Sequence, residues 1–179
     1  KILPRIAPVE GRLEKIGKIH NNSKVILDYA HTPAALESAL SNLKEQFPFN
    51  KINLIFGCGG DRDLQKRPLM GKIAEKYSNE IYITDDNPRN EKPFKIRNEI
   101  KKGIKNKKIN EIPDRKKGIQ EAVNNLKTGD ILLVAGKGHE KIQDYGKKRI
   151  FFSDQKIILE SIRLKNKFLF KNLKLNIIQ

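Results

Sequence analysis

The 179-residue chain is predicted to fold as a doubly wound α/β domain, a mostly parallel sheet with helices on both faces. Two observations point there. Short runs rich in Ile, Leu and Val alternate with stretches whose apolar residues recur every three or four positions, the beat of a helix with one buried side. Each apolar run also ends in a turn rich in Gly, Asp, Asn or Pro, where an open α/β sheet carries its ligands.

Four strands are read at Lys24–Asp28, Lys51–Phe56, Glu80–Thr84 and Asp130–Ala135. Their apolar residues run almost continuously instead of alternating, as strands covered on both faces require. The first helix starts at Thr32-Pro33, a capping hydroxyl followed by a proline at the first helical position. It carries Leu36, Ala39, Leu40 and Leu43 on one side. A second helix carries Met70, Ile73, Ala74 and Tyr77, and a third begins at Pro93 with Ile96 and Ile100 inward. The fourth follows Asp114 and aligns Ile119, Ala122, Val123 and Leu126. Lys148–Phe152 is expected as an edge strand, and Ser153-Asp154 as the cap of a last helix through Leu164. Residues 1–20, with Pro4, Pro8, Gly11 and Gly17, read as an entering linker with a hairpin-like segment. Residues 21–164 form the domain, and 165–179 a Lys-rich tail. The chain opens on Lys1 instead of Met, so a piece of a longer protein is expected.

Composition narrows the function. A net charge of +16 raises nucleic acid as a partner, yet the lysines are spread over the whole chain without interleaved aromatics. A solvated basic surface is the better reading, and it favours an anionic substrate in either case. No apolar run approaches the roughly 20 residues of a membrane span. The single Cys58 excludes an internal disulfide and suits a reducing cytoplasm. Zinc is not expected, because His20, His31, His139 and Cys58 offer no ligand spacing. No Ser stands in a G-x-S-x-G elbow.

The chemistry lies in four post-strand segments, which a parallel sheet brings to one edge. Gly57-Cys58-Gly59-Gly60-Asp61-Arg62-Asp63 lets backbone approach a ligand and offers Arg62 to a carboxylate, though it reads equally as a tight turn. Asp86-Asn87-Pro88-Arg89 sets a planar two-pronged donor and an amide beside a rigid proline, suited to an oriented carboxylate. Alone, it is more simply an Asn-Pro turn. Gly136-Lys137-Gly138-His139-Glu140 is not a phosphate loop of the Walker A type: Ile131 stands where the first glycine belongs, and Gly138 where Ser or Thr should follow the lysine. Glu140 offers acceptors to a substrate ammonium. Asp28-Tyr29-Ala30-His31-Thr32-Pro33 puts an acid where doubly wound folds contact a ribose hydroxyl.

In this order, the four segments resemble one family, the Mur ligases, ATP-dependent amide-bond-forming enzymes of peptidoglycan synthesis. The similarity runs from about Gly11 to Ile158 and includes Gly11-Arg12-Leu13-Glu14, Lys66-Arg67-Pro68-Leu69-Met70 and Phe152-Ser153-Asp154. It implies a Rossmann-like carboxy-terminal domain of the branch that adds meso-2,6-diaminopimelate to UDP-MurNAc-L-Ala-D-Glu. By that resemblance Arg62, Asp86, Asn87, Pro88, Arg89, Gly136 and Glu140 hold diaminopimelate, and Arg12, Asp28, Tyr29 and His31 contact ATP. It implies no catalytic base and no metal ligand in this chain. Mg2+ joins ATP in the complete enzyme, where a central domain carries the nucleotide loop and an amino-terminal one the UDP-sugar site. A cytoplasmic monomer is expected, inactive in ligation by itself and without membrane or nucleic acid partners.

The distinction from lysine has a physical basis. Diaminopimelate carries a second carboxylate at its far end, and Arg89 with Asn87 can pair with it. Lysine would leave that guanidinium unpartnered, and an orphaned polar group discriminates better than shape. The rivals are a lysine-adding or folylpolyglutamate-type ligase of the same fold, and a basic nucleic-acid-binding module.

Overall fold

The structure is a computed structural model and describes residues 11–177. Pro4 and Pro8, with the rest of residues 1–10, lie outside the described residues. The elements run β1 (Glu14–Lys15), β2 (Lys24–Asp28), α1 (Pro33–Gln46), β3 (Ile52–Phe56), α2 (Lys66–Tyr77), β4 (Glu80–Ile83), α3 (Pro93–Lys101), β5 (Ile109–Glu111), α4 (Arg115–Asn125), β6 (Ile131–Ala135), β7 (Ile142–Asp144), β8 (Arg149–Phe151) and α5 (Asp154–Ile177). Six strands form one sheet in the order β1-β2-β6-β3-β4-β5. Only β1 is antiparallel to its neighbour; the rest run parallel.

β6 is the centre. Leu133 stands opposite Ile26 of β2 on one side and Leu54 of β3 on the other. Alternate strand residues feed two separate cores, as the pleat dictates. Ile26, Leu54, Phe56, Ile81, Ile83 and Leu133 pack under α1, α2 and α3. Val25, Leu27, Ile55, Tyr82, Leu132 and Val134 pack under α4 and α5. At roughly 25 cal/mol per Å2 of apolar surface buried, this two-sided burial supplies most of the driving force for the sheet.

The four expected strands and the first four helices form where the sequence places them. Thr32 caps α1 by accepting from Ala35 N, and Asp114 caps α4 by accepting from Lys117 N. β5 escaped the reading because Ile109-Asn110-Glu111 is short, polar and nowhere fully buried. The expected edge strand exists as β8, but it pairs with β7 in a separate two-stranded hairpin and not with the main sheet. The last helix continues past Leu164 to Ile177. Lys165 is buried there, its ammonium donating to Asn124 O and Leu126 O at the end of α4. Part of the expected linker is also built in, since Ile16 and Ile19 enter the second core.

Because α1 leaves β2 for one face while the chain leaves β6 for the other, a crevice opens over the carboxyl ends of β2, β6, β3 and β4.

Candidate acceptor-binding site

That crevice is a cavity of about 610 Å3 lined from all four post-strand segments. Tyr29, His31, Thr32 and Pro33 come from the first, and Gly57, Cys58, Gly59, Arg62 and Asp63 from the second. Asp86, Asn87 and Arg89 follow β4, Gly136 and Glu140 follow β6, and Lys66 and Leu69 come from α2. The turns are shaped by close backbone approach. A Cβ on Gly60 would sit 1.8 Å from Pro88 O, and one on Gly136, whose φ is +114°, would sit 2.7 Å from Asp86 Oδ2. Only glycine permits either contact.

Arg67 buttresses the second segment from behind. Fully buried, it donates to both carboxylate oxygens of Glu91, to Glu99 and to Gly59 O. Glu91 in turn accepts from Asp61 N at 2.6 Å. Gly60 N reaches across to Asn87 O at 2.9 Å, joining the second segment to the third. Opposite, Lys66 Nζ donates to His31 O at 3.0 Å and closes the wall towards the first.

The charges are arranged in two sets. Arg89 Nη1 donates to Gly60 O at 2.8 Å, and Arg62 Nη1 to Asp61 O at 3.2 Å. Among the described residues neither guanidinium meets a carboxylate within salt-bridge distance, so both keep their charge for an anion. The acids lie deeper. Glu140 Oε2 accepts from Asn87 Nδ2 and from Lys137 Nζ, each at 3.0 Å, and Tyr29 OH lies 3.4 Å from Oε1. Burial alone would raise the Glu140 carboxyl, but Lys137 together with the Asn87 and Tyr29 bonds outweighs it and holds the group below its usual range. Burial and the adjacent Glu140 charge raise the Tyr29 phenol. Burial pushes the Cys58 thiol up to about 12, so it lines the cavity as an inert protonated group.

Of the residues singled out in the sequence, Arg62, Asp86, Asn87, Arg89, Gly136 and Glu140 line this cavity together with Tyr29 and His31. Pro88 is buried behind the lining. Asp28 does not reach the cavity: its two oxygens accept from Leu13 N and Ala30 N, both at 2.7 Å. Arg12, next to Leu13, is exposed and carries its charge towards Tyr29. Lys137 went unassigned in the sequence, yet it is fully buried at the meeting point of Asn87 and Glu140. A lysine between two glycines reads as surface, and nothing local marks it as core. No cluster of three or more His, Cys, Asp or Glu among the described residues is placed to hold a metal. No helix among them is long and apolar enough to cross a membrane.

The doubly wound domain thus sets two guanidiniums without carboxylate partners against a deeper carboxylate at its switch point, and the sequence defines its class. Residues 11–138 match the family described as Mur ligase, glutamate ligase domain, and the chain belongs to the Mur ligase family. Within it, the chain is 52% identical over 167 residues to the UDP-N-acetylmuramoyl-L-alanyl-D-glutamate--2,6-diaminopimelate ligase of Buchnera aphidicola subsp. Baizongia pistaciae, covering 93% of this chain and 33% of that protein. It is 46% identical over 168 residues to the ligase of the same name from Rickettsia felis, covering 93% of this chain and 31% of that protein. A solved structure of a ligase of that name superposes with a TM-score of 0.81 at 37% identity, over 90% of this chain and 33% of that one. The chain thus spans about a third of the length of the curated relatives it matches.

Proposed function

We propose that this chain is the acceptor-binding domain of a ligase that joins meso-diaminopimelate to UDP-MurNAc-L-Ala-D-Glu at the expense of ATP. The observation that carries it is the cavity's charge pattern: Arg62 and Arg89 without carboxylate partners on one side, and Glu140 with Asp86 on the other. Diaminopimelate is an amino acid with an ammonium and a carboxylate at each end. A carboxylate pairs with Arg89, Arg62 and the Asn87 amide, while an ammonium is drawn to Glu140 and Asp86. Gly136 leaves room beside Asp86, and Pro88 stiffens the turn that aims Asn87 and Arg89.

The chain's part in the reaction is to hold the attacking amine in line and to stabilise charge, the work in which oriented groups give the largest gains. ATP activates the D-Glu carboxylate as an acyl phosphate, and the groups this chain offers to the nucleotide are Tyr29 and His31 of the cavity wall and the exposed Arg12, whose charge acts on Tyr29. Asp28 contributes through the Leu13 turn, which it pins beside Arg12. Mg2+ accompanies ATP in the rest of the complete enzyme.

Turnover of the complete ligase carrying this sequence tests the reading. Meso-diaminopimelate should be used at least about 10³-fold more efficiently than L-lysine, because lysine strands the guanidinium. Comparable kcat/KM for the two amino acids would overturn the substrate assignment.

A further inference from the structure

We infer that Lys137 is a positioning residue of the acceptor site, a buried cation that fixes the Asn87 amide and the Glu140 carboxylate in the orientations the amino-acid substrate meets. The inference rests on the reading of the cavity as the diaminopimelate site. Lys137 is fully buried, and its Nζ donates to Asn87 Oδ1 at 2.9 Å, Glu140 Oε2 at 3.0 Å and Ile142 O at 2.7 Å. Asp86 Oδ1 lies 3.9 Å away. An ammonium has three hydrogens, and here each has an acceptor within the protein, so Lys137 acts through its neighbours and not by direct contact with the substrate.

Its partners are the lining residues themselves. Asn87 Oδ1 accepts both from Lys137 and from Asp144 N at 3.0 Å. That double acceptance fixes which way the amide points and turns Nδ2 towards Glu140. One Nδ2 hydrogen is used there, and the other remains for a ligand in the cavity Asn87 lines. The same cation keeps Glu140 ionised in a half-buried place, where Asp86, Tyr29, Arg89 and Arg115, with Lys141, Asp144 and Arg149 across the adjoining hollow, are further charged or titratable groups around it. A neutral side chain of equal length would release both groups at once.

The test compares the complete ligase with its Lys137→Met variant. The KM for meso-diaminopimelate should rise at least about tenfold, since two charge-assisted contacts are lost, while the KM for ATP stays within about twofold. The acid limb of the diaminopimelate KM profile should move to higher pH, because Glu140 without its cation takes a proton sooner. A role confined to folding would shift neither the limb nor the ratio of the two KM values. Lys137→Met combined with Glu140→Gln should raise the KM for diaminopimelate by less than the product of the two single effects, since the Lys137–Glu140 contact is shared while the loss through Asn87 remains; a full product would overturn the coupling. An unchanged KM and an unchanged limb in Lys137→Met overturn the inference. If the variant does not fold, carboxyl NMR of Glu140 in the parent decides: titration below the ordinary glutamate value supports the inference, and titration at or above it overturns it. A parent ligase with no diaminopimelate-dependent turnover overturns the site reading itself, a failure seen without any variant.

Discussion

At the scale of single residues, Arg89 shows how much a side chain's identity conceals. The sequence proposes it as the selective donor, and the structure adds that its backbone sits at φ +53°, a left-handed conformation unusual for a side chain of that size. The turn holds it there through Arg89 N to Asp144 O at 2.9 Å and Nη1 to Gly60 O at 2.8 Å. Such strain costs about 1–3 kcal/mol and concentrates where function demands a fixed geometry. Arg89→Ala removes the guanidinium and keeps the strain, whereas Arg89→Gly removes both. Glycine gives back about 0.4–1 kcal/mol through the freer unfolded chain, less than the strain it relieves. Both variants should therefore raise the KM for meso-diaminopimelate by about 100-fold, and the glycine variant should melt a few degrees higher. Equal melting temperatures would show that the conformation costs nothing. A KM within threefold of the parent in either variant would remove Arg89 from the acceptor site.

At the scale of elements, the sequence reveals strands buried on both faces and helices with one apolar side, because those patterns are written locally. It hides whatever depends on a distant partner. Lys148–Phe152 has the composition of a strand, but only the nearness of Ile142–Asp144 decides that it closes a hairpin and not the sheet edge. Arg115 and Asp154 are a second case. They read as ordinary helix-end residues 39 positions apart, yet both are fully buried and bonded by two contacts, Nε to Oδ1 at 2.8 Å and Nη2 to Oδ2 at 2.6 Å. The pair clamps the first turn of α4 to the first turn of α5, and Nη2 also donates to Ala135 O, next to the Gly136 turn of the site. Removing one partner strands a buried charge at a cost of about 3–5 kcal/mol, while replacing both with apolar groups is far cheaper. Asp154→Asn should lower the melting temperature by about 10 °C, and Arg115→Met with Asp154→Leu should recover most of that loss. Thermal unfolding followed by circular dichroism distinguishes the cases, and a single variant as stable as the parent would show that the clamp carries no stability.

At the scale of the whole molecule, the +16 charge suggested a diffuse basic surface, and its stability consequence comes from the carboxylates set against it. The sequence shows how many acids there are but not which are paired, and the pairing sets the pH response. Glu91 is held below its ordinary value of 4.5 chiefly by its bond from Arg67. Glu111 and Glu140 are likewise depressed: burial opposes it, but Lys101 and Arg97 in one case and Lys137 in the other prevail. Asp85 goes the other way, its burial outweighing the Arg97 contact and raising it above 3.8. A depressed carboxyl leaves the native state reluctant to take a proton that the unfolded chain accepts, so its stabilisation is full above about pH 4.5 and is lost as pH falls towards the native value. Asp85 opposes that trend but is outnumbered. Acid also discharges carboxylates and so increases repulsion among the 37 Lys and Arg side chains. The melting temperature should thus be nearly level from pH 7 to 5.5 and fall steadily below about 4.5. In a Glu111→Gln variant the fall should be shallower, because the group that loses its charge is already neutral. A parent whose melting temperature holds to pH 3.5, or a variant that falls as steeply, would mean that these pairs do not govern the response.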